Sequence, residues 1–428
     1  MDQVGSFRHL HVVAAVAQFG GVRRAAAEIN LSQPAISQAI MGVEQAIGES
    51  LFDRTAQGMF PTAAGHLFAK RIDRAIGYLK SGAQEIVAKG GRETQAPLID
   101  RLATTVQLRA LIEVVEHGGY APAARRLGVT QPNIYRALRD LEKITRRKLV
   151  QPSPLGAKPT PDGLVLARWA SLAFREVELG LDELRERRGL RDGSIIIGTL
   201  PFARTWILPA AVTSLLNQHP DAKIKIIDGS YAELLNRLQH GRIDFILGAL
   251  RFPASSSDLR QEELFKEPLS IIVRAGHPIL KQSTADPAKL LSLDWIAPNE
   301  LTPARGLFTA FFRRHGLPLP ERIIECSSLV ATRGLLMRSD RAALLSASQI
   351  RYEAEAGQLA VAIAALPDTE RAIGICTRSD WSPTKLQAEL LSLVRTVVNA
   401  PSVKLTSRDR SSIRTKPSAR RSRRVVKS

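Results

Sequence analysis

Apolar residues recur at helical spacing from Leu10 to Ala17, and the pattern stops at Gly20. We expect one helix there, ended by a glycine that takes a positive φ without Cβ strain. Polar and apolar positions then predict a short helix over about 22–29 and a longer helix over about 33–47. The helices over 22–29 and 33–47, joined by a tight turn, form a helix-turn-helix.

The longer helix carries its own start signal. Ser32 is a natural N-cap, and Pro34 falls in the first turn, where its missing N–H costs no helical bond. Apolar residues that include Ile36 and Ile40 predict the buried face of this helix. After it, residues 50–62 alternate apolar positions about a glycine, which predicts a small two-stranded wing.

The whole pattern occurs a second time along the chain. Residues 10–65 align without gaps to residues 108–163, at a constant offset of 98 residues. Identical residues at matched positions include Gly20/Gly118, Ala25/Ala123, Gln33/Gln131, Pro34/Pro132, Glu44/Glu142, Thr62/Thr160 and Gly65/Gly163. Such a register indicates a duplicated module. The second wing is expected to be weak, because Pro152 stands where the first copy has Arg54 and supplies no N–H.

A long helix is predicted after each copy. The apolar stripes are formed by Leu67, Ile72, Ile76, Leu79 and Ile86 in the first helix and by Val165, Trp169, Leu172 and Leu179 in the second. Stripes of this kind pair helices. Spacing alone leaves two alternatives equally open, packing within the same chain or pairing with a second chain.

The polar face of each third helix holds residue types that read DNA. Gln and Ser can bond base edges in the major groove, and Arg can bond guanine or phosphate. We expect DNA contacts from Ser32, Gln33, Pro34, Ser37, Gln38, Met41 and Arg54 in the first copy and from Gln131, Tyr135, Arg136 and Arg139 in the second. The competing interpretation, a solvated face of a helical interaction module, carries more weight for the second copy.

Residues 190–400 change to a pattern that alternates strands and helices. Ile195–Ile197, Ile224–Ile227 and Phe245–Leu247 are apolar runs of strand length, and the segments between them have helical period. This order predicts parallel βαβ units in an α/β domain.

Ligands of open α/β sheets bind at the carboxyl ends of the strands. The candidate ligand-binding residues at such positions, or at predicted helix starts, are Thr199, Leu200, Pro201, Arg204, Gly248, Arg251, Thr302, Arg305, Ser327 and Ser328. For the three arginines, plain exposure on the surface is an equally weighted alternative.

The charge of the chain is unevenly distributed. Its 60 Lys and Arg against 41 Asp and Glu give a formal net charge of +19. Residues 404–428 hold 10 basic residues and one acidic residue, so the segment 401–428 is expected to be a disordered polycation. A polycation binds phosphate without reading bases, so the charge by itself supports only non-specific binding to nucleic acid.

The cysteines, histidines and sequence motifs exclude several classes of site and function. Cys326 and Cys376 have no ligand-type residues at suitable spacing, and His9 and His11 lack further ligands, so neither disulfides nor a metal site are expected. The sequence has no GxSxG, P-loop, HExxH or dinucleotide glycine motif, so we expect no enzyme, no catalytic residue and no cofactor. A cytoplasmic protein without membrane contact is expected, since no secretory or membrane-spanning segment is recognisable.

These features resemble the LysR-type transcriptional regulators. The first copy carries the residues of that family's winged helix-turn-helix: Ala25, Ala26, Ser32, Gln33, Pro34, Ala35, Ser37, Ile40, Glu44, Gly48, Leu51, Phe52, Arg54, Thr62, Ala64 and Gly65. It departs at Gln38, where a basic residue is usual, and in the duplication itself. The resemblance implies a two-lobed effector domain, similar to type 2 periplasmic binding proteins. Residues Gly248–Arg251 resemble the branch of the galactose-binding-protein regulators.

The resulting hypothesis is a ligand-responsive, sequence-specific DNA-binding transcription regulator. Its predicted parts are a first winged helix-turn-helix (1–65), a linker helix and loop (66–97), a second winged helix-turn-helix (98–163), a second linker helix (164–189), the effector domain (190–400) and the tail (401–428). Double-stranded DNA and a small-molecule effector are the implied partners, RNA polymerase is a further candidate, and a homodimer or homotetramer is expected. The alternatives are a non-specific DNA-binding protein and a cytosolic solute-binding or enzymatic α/β protein.

Overall fold

The computed structural model describes residues 6–55, 58–90, 96–153, 156–252, 254, 256–281, 288–300 and 302–400. The predicted basic tail and most of the predicted loop between the two copies lie outside the described residues. The chain forms two compact units. Among the described residues, the first unit holds those from residue 6 to Leu200 with Leu208–Glu262 and Gly374–Arg395, and the second holds Pro201–Ile207, Glu263–Ile373 and residues 396–400.

Three helices and a two-stranded wing open the first unit, and a long helix follows them. These elements are α1 (Phe7–Phe19), α2 (Val22–Ile29), α3 (Gln33–Ile47), β1 (Phe52–Thr55), β2 (Gly58–Pro61) and α4 (Ala63–Gly90). Gly20 ends α1 with φ 69° and Asn30 ends α2 with φ 54°, so a left-handed residue makes each turn. Ser32 caps α3 by accepting a hydrogen bond from Ala35 N at 3.4 Å.

The same order of elements occurs again after a short helix. The elements are α5 (Ile99–Leu102), α6 (Thr105–His117), α7 (Tyr120–Leu127), α8 (Gln131–Thr145), β3 (Val150–Ser153), β4 (Gly156–Pro159) and α9 (Pro161–Arg187). Every boundary from α6 to β4 lies 98 residues after that of its counterpart in α1 to β2. We call residues 7–66 the first repeat, residues 105–164 the second repeat, and α4 and α9 the linker helices.

The two wings have the same register, and this corrects the expectation that the second wing is weak. Arg54 pairs with Met59 in the first wing, and Pro152 pairs with Ala157 at the same place in the second. Thr160 N donates to Leu149 O at 3.0 Å. Because bonded and non-bonded pairs alternate along an antiparallel hairpin, Pro152 falls at a non-bonded pair, where the ladder needs no N–H.

A glycine is required where each wing meets its linker helix. A Cβ on Gly65 would lie 2.0 Å from the carbonyl oxygen of Leu51, and a Cβ on Gly163 would lie 2.0 Å from that of Leu149. No side chain fits in that space. The residue that enters each wing therefore packs directly on the start of the linker helix, and any larger residue at the glycine would push the two apart.

The carboxyl-terminal half contains two five-stranded sheets. The first sheet has the order β6-β5-β7-β14-β8, and β5 is parallel to both β6 and β7, as the sequence predicts. Its strands and the helices of this part are β5 (Ser194–Thr199), α10 (Ile207–Gln218), β6 (Lys223–Asp228), α11 (Tyr231–Gln239), β7 (Phe245–Ala249), β8 (Leu259–Glu267), β14 (Arg371–Arg378) and α16 (Lys385–Asn399).

The second sheet belongs to the second unit and has the order β11-β10-β12-β9-β13. Its elements are β9 (Ser270–Arg274), α12 (Ala288–Leu291), β10 (Asp294–Ala297), α13 (Pro303–Arg314), β11 (Ile323–Glu325), α14 (Leu329–Met337), β12 (Arg341–Leu345), α15 (Arg351–Glu355) and β13 (Leu359–Ile363). Trp295 is fully buried, and Phe308 and Phe312 pack edge-on against it with ring centroids 5.3 and 5.4 Å away.

The prediction of a helix-turn-helix followed by an α/β domain is confirmed, and that domain is built on two sheets. Within the described part of the chain, no helix combines the length and the apolar character needed to cross a membrane.

Candidate nucleic-acid interface

The third helix of the first repeat, α3, separates its buried and exposed residues as the sequence predicts. Its buried residues are Ile36, Ala39, Ile40 and Val43. Gln33, Gln38 and Met41 are exposed, and Ser37 is half-buried at the same face. Within the described residues, the side chains of these four make no hydrogen bond. The face is therefore available to donors and acceptors outside the chain.

Glu44 connects α3 to the first wing. Its Oε1 accepts hydrogen bonds from Leu51 N at 2.7 Å and from Phe52 N at 3.0 Å. Leu51 directly precedes β1 and Phe52 begins it, and the strand carries the exposed Arg54. Glu44 thereby sets the distance between the exposed polar face of α3 and Arg54 of the wing, because hydrogen bonds to a charged acceptor are strong and directional.

The corresponding helix of the second repeat, α8, also exposes its predicted residues, Gln131, Tyr135, Arg136 and Arg139. Here both arginines already have partners on their own helix. Arg136 Nη2 donates to Asn133 Oδ1 at 2.8 Å. Arg139 Nε donates to Tyr135 Oη at 2.9 Å, and the Arg139 guanidinium lies 5.1 Å from the centroid of that ring. Contacts with DNA would have to replace these bonds.

Glu142 repeats the role of Glu44 and adds to it. Its Oε1 accepts from Leu149 N at 3.0 Å and from Val150 N at 3.4 Å, so the second wing is attached in the same way. Its Oε2 also forms ion pairs at 3.2 Å with Arg139 and with Lys148. One carboxylate thus offsets two cations that face outward from the second repeat.

The linker helices α4 and α9 pack against each other within the first unit. Arg71 of α4 is buried and binds two carboxylates of α9, with Nη1 2.9 Å from Glu176 Oε2 and Nε 3.0 Å from Glu183 Oε2. Burial by itself lowers the pKa of Arg71, but the hydrogen bonds and charges of Glu183 and Glu176 raise it above its ordinary value. The guanidinium therefore stays charged in the fold.

A segment of the α/β domain contacts the same helix. Arg71 Nη1 donates to Ser382 O at 2.9 Å, and Arg74 donates to Asp380 O. Tyr78 Oη donates to Asp380 Oδ2 at 2.6 Å. Burial raises the pKa of Tyr78, and the hydrogen bond and charge of Asp380 raise it further. Residues 380–382 follow β14 directly and are thus bonded to a linker helix.

Four candidate ligand residues lie in the first unit, at the carboxyl ends of the neighbouring strands β5 and β7. Thr199 is buried at the end of β5, and Leu200 N bonds to Leu247 O at 3.0 Å. A Cβ on Gly248 would lie 2.5 Å from Leu200 Cβ, so glycine allows this close approach. Arg251 is exposed, and its guanidinium lies 4.0 Å from the centroid of the Tyr231 ring. The structure thus brings Leu200 and Gly248 into contact at these strand ends, and Arg251 packs on Tyr231 just beyond β7.

The other six candidates lie in the second unit. Pro201 and Arg204 precede α10, and both are half-buried. Thr302 caps α13, and Ser328 caps α14, each by accepting a hydrogen bond from the N–H three residues on at 3.3 Å. Ser327 is exposed beside Ser328. Because α13 follows β10 and α14 follows its parallel neighbour β11, both caps occur at one edge of the second sheet.

Arg305 is more constrained than the sequence indicates. Its Nη1 donates to Pro298 O at 3.1 Å and lies 3.7 Å from Glu325 Oε2. Asn299 Nδ2 donates to the other oxygen of Glu325 at 3.1 Å. Sequence reasoning missed Asn299 and Glu325, since a carboxylate at the end of a three-residue strand carries no local signal. An anion would compete with Glu325 for Arg305.

Within the described residues, Glu113, Glu116 and His117 bring three potential metal-binding atoms together. His117 pairs with Glu113 at 3.1 Å, and Glu116 pairs with Arg242. Glu116 is thereby already compensated by the Arg242 cation, and Glu113 already has the His117 ring as a partner, so we assign no metal to this group.

Comparison with known proteins covers most of the chain. Residues 188–399 match the LysR substrate binding domain family, and residues 7–66 and 105–164 each match the family of bacterial regulatory helix-turn-helix proteins of the lysR type. The HTH-type transcriptional regulator GalR of Pseudomonas putida is 31% identical over 383 residues, which span 90% of this chain and 95% of GalR. The HTH-type transcriptional regulator PcaQ of Agrobacterium fabrum is 25% identical over 299 residues, which span 70% of this chain and 96% of PcaQ.

The fold agrees with a solved structure. A full-length OxyR variant from Pseudomonas aeruginosa superposes with a TM-score of 0.51 at 19% identity, over 69% of this chain and 97% of OxyR. At that identity the likeness concerns the fold alone. The family matches extend from the first repeat to the end of the α/β domain, and the alignment with GalR covers 90% of this chain. The chain therefore belongs to the LysR family of ligand-responsive, DNA-binding transcriptional regulators, which are not enzymes.

Proposed function

We propose that both repeats are winged helix-turn-helix modules that bind double-stranded DNA, and that the first supplies most of the sequence reading. The observation that supports this proposal is a difference between α3 and α8. Gln33, Ser37 and Gln38 present uncommitted polar groups, whereas Arg136 and Arg139 are bonded along α8. The first face can read bases at once, and the second adds phosphate contacts or spacing.

The test compares two matched double variants of the full chain on DNA from upstream of its own gene. Replacing Gln33 and Ser37 by Ala should weaken specific binding more than tenfold, since each base contact contributes about 1–3 kcal/mol. Replacing Arg136 and Arg139 by Ala should weaken binding to specific DNA and to random DNA alike, and by a smaller factor. Lys225→Ala, which removes an exposed cation from β6, is the control for charge. The reverse order of the two double variants would reject the assignment.

We further propose that the residues available for effector binding are Thr199, Leu200, Pro201, Arg204, Gly248, Arg251, Thr302, Arg305, Ser327 and Ser328. Support comes from their positions at the carboxyl ends of strands and at helix starts, where backbone N–H groups favour an acidic ligand. A carboxylate library is screened for compounds that raise the melting temperature of the full chain. Ser328→Ala and Arg305→Gln should each reduce the shift, and Arg341→Gln at the start of β12 should not. An unchanged shift in both site variants would reject this set.

The proposal extends to assembly and to the tail. A homodimer or homotetramer, and contact with RNA polymerase, remain predictions for the assembled regulator, as does its place near the galactose-binding-protein regulators. Non-specific binding is the competing function, and residues 401–428 are its main support. Footprinting with and without these residues separates the two. A defined protected site that survives tail removal supports regulation, whereas uniform, salt-sensitive binding that disappears with the tail contradicts it.

A further inference from the structure

Contacts between the linker helices occur in matched pairs. Arg71 of α4 packs on Gly180 of α9, where a Cβ on the glycine would lie 3.1 Å from Arg71 Cβ. The residue 98 positions after Arg71 is Trp169, and the residue 98 positions before Gly180 is Gly82. These two also contact each other, since a Cβ on Gly82 would lie 2.9 Å from Trp169 Cβ. Each contact thus has a counterpart with the roles of the helices exchanged.

Two more contacts follow the same rule. Arg71 Nε donates to Glu183 Oε2 at 3.0 Å, and its counterpart is the bond from Trp169 Nε1 to Glu85 Oε2 at 2.8 Å. The Arg71–Glu176 ion pair at 2.9 Å corresponds in turn to the ring contact between Trp169 and Tyr78, whose centroids are 5.8 Å apart. The matched positions in α4 and α9 are all 98 residues apart.

When a residue of one helix contacts a residue of the other, and their two counterparts also contact each other with the helices exchanged, the two helices are related by two-fold symmetry. Here the pseudo-two-fold axis relates two helices of one chain. The first helix of each repeat packs on its own linker helix, α1 on α4 and α6 on α9. The same axis therefore relates the two repeats, and with them the reading helices α3 and α8.

The charges favour this mixed pairing over pairing of two α9 helices. Arg71 and Arg74 lie on α4, and their buried partner Glu176 lies on α9 with Glu183. If two copies of α9 paired in this geometry, Trp169 would replace Arg71 and both acids would lose that cation. A buried carboxylate without a cation is costly, so α9 discriminates against a second α9.

We propose that α4 and α9 pair within one chain in place of a second chain, so that a single chain forms a complete two-headed reader. Its DNA partner is a duplex with two half-sites in opposite orientation and of different sequence. Opposite orientation follows from the two-fold axis. Different sequence follows from the different residues on α3 and α8. This inference rests on the proposed DNA binding by both repeats.

The first test asks whether the helices pair within or between chains. Gly82→Cys and Trp169→Cys are combined in the full chain with Cys326→Ser, while Cys376 is buried and is retained. The native contact is 2.9 Å between Cβ positions, so a small opening reaches the roughly 3.5–4.5 Å of a disulfide. Oxidation should give a monomer that migrates faster on a non-reducing gel and returns to normal with reductant. Each single variant is the control and should remain uncrosslinked.

A covalent dimer as the main oxidised product, or no cross-link at all, would overturn intrachain pairing.

The second test needs no substitution in the linker helices. Footprints of the full chain should show two unequal half-sites. Combined Gln33→Ala and Ser37→Ala should remove one half-site, and combined Arg136→Ala and Arg139→Ala should weaken the other. Two identical half-sites lost together would overturn the inference. A footprint unaffected by the second double variant, with the disulfide still intrachain, would reject only the proposed DNA binding by the second repeat.

Discussion

Arg71 and Glu176 form a buried ion pair between the two linker helices, with 2.9 Å between Arg71 Nη1 and Glu176 Oε2. Their side chains are only 4% and 1% exposed. The same guanidinium donates to Ser382 O, after the last strand of the first sheet. One side chain therefore bonds both linker helices and the α/β domain, so a displacement of residues 380–382 acts directly on the helix pair that positions the repeats.

Arg71→Met should lower the free energy of unfolding by about 3 kcal/mol, because it leaves buried carboxylates with one cation fewer. Urea denaturation of the full chain measures the change. Arg188→Met is the matched control, since Arg188 is exposed and lies 3.9 Å from Glu49. That pair should contribute less than about 1 kcal/mol. Equal losses in the two variants would show that burial of Arg71 contributes nothing.

Gly82→Ala and Gly180→Ala should each destabilise the chain by about 1–3 kcal/mol, because an added Cβ would overlap Trp169 or Phe68 of the facing helix at 2.9 Å. Gly77→Ala is a control in the same helix as Gly82, because no atom of the described residues lies within 4 Å of its added Cβ. There alanine should stabilise by about 0.5–1 kcal/mol. Thermal denaturation of the three variants shows whether each substitution lowers or raises the stability. Destabilisation by Gly77→Ala would count against the assigned packing.

Glu142→Gln should strengthen binding to DNA. The amide keeps Oε1 for Leu149 N and Val150 N, so the second wing stays attached, but it releases Arg139 and Lys148 from their ion pairs. Two freed cations should steepen the dependence of log affinity on log salt by roughly 1–2. Anisotropy titrations at several salt concentrations measure it. Glu44→Gln is the matched control, since within the described part of the chain Glu44 accepts only from Leu51 N and Phe52 N. A steeper slope in both variants would contradict the explanation.

The stability of the first unit should fall at acidic pH in part through His11. Burial lowers the pKa of His11; Asp100, 3.9 Å away, raises it, and Arg101 and Lys80 lower it further. The pKa is therefore lower in the folded chain than in the unfolded chain. As pH falls below about 6.5, the unfolded chain takes up this proton first, and the free energy of unfolding decreases until the folded pKa is passed.

His11→Gln should remove that part of the acid sensitivity. Urea denaturation at pH 7.5 and at pH 5.5 gives the difference for each protein, and the difference should be smaller for the variant than for the natural chain. His66→Gln, which changes an exposed histidine on α4, is the control. An identical pH dependence for His11→Gln and the natural chain would exclude this contribution.

Tyr78→Phe should weaken the response to an effector more than it weakens binding to DNA. The variant keeps the ring contact with Trp169 and loses the hydrogen bond to Asp380, along with the 3.3 Å bond that Tyr78 Oη accepts from Arg74 Nη2 of the same helix. Anisotropy titrations with and without effector measure the ratio of the two affinities, which should move towards one. Phe60→Tyr, an exposed wing position, is the control for the change in hydroxyl content. An unchanged ratio for Tyr78→Phe would show that this bond does not transmit the effector signal.

Much of the DNA-binding part could be predicted from the sequence, because its signals are local. Helical period, the Gly20 turn and the Ser32 cap act over a few residues, and the constant offset of 98 residues carried the same elements to the second repeat. The parallel strands β5, β6 and β7 were predicted for the same reason. The second wing was misjudged because whether Pro152 loses a hydrogen bond depends on register, which the partner strand decides.

By itself, the sequence determined the elements, their repetition and the apolar stripes of the linker helices. Only the tertiary structure decided what covers those stripes, since a periodic pattern shows which face is apolar without naming its partner. It brought Asp380 to Tyr78 across 302 residues of sequence, and it placed Glu142 beside Lys148 and Glu325 beside Arg305. Ion pairs and close glycine contacts depend on distances between segments remote in sequence, and folding alone sets those distances.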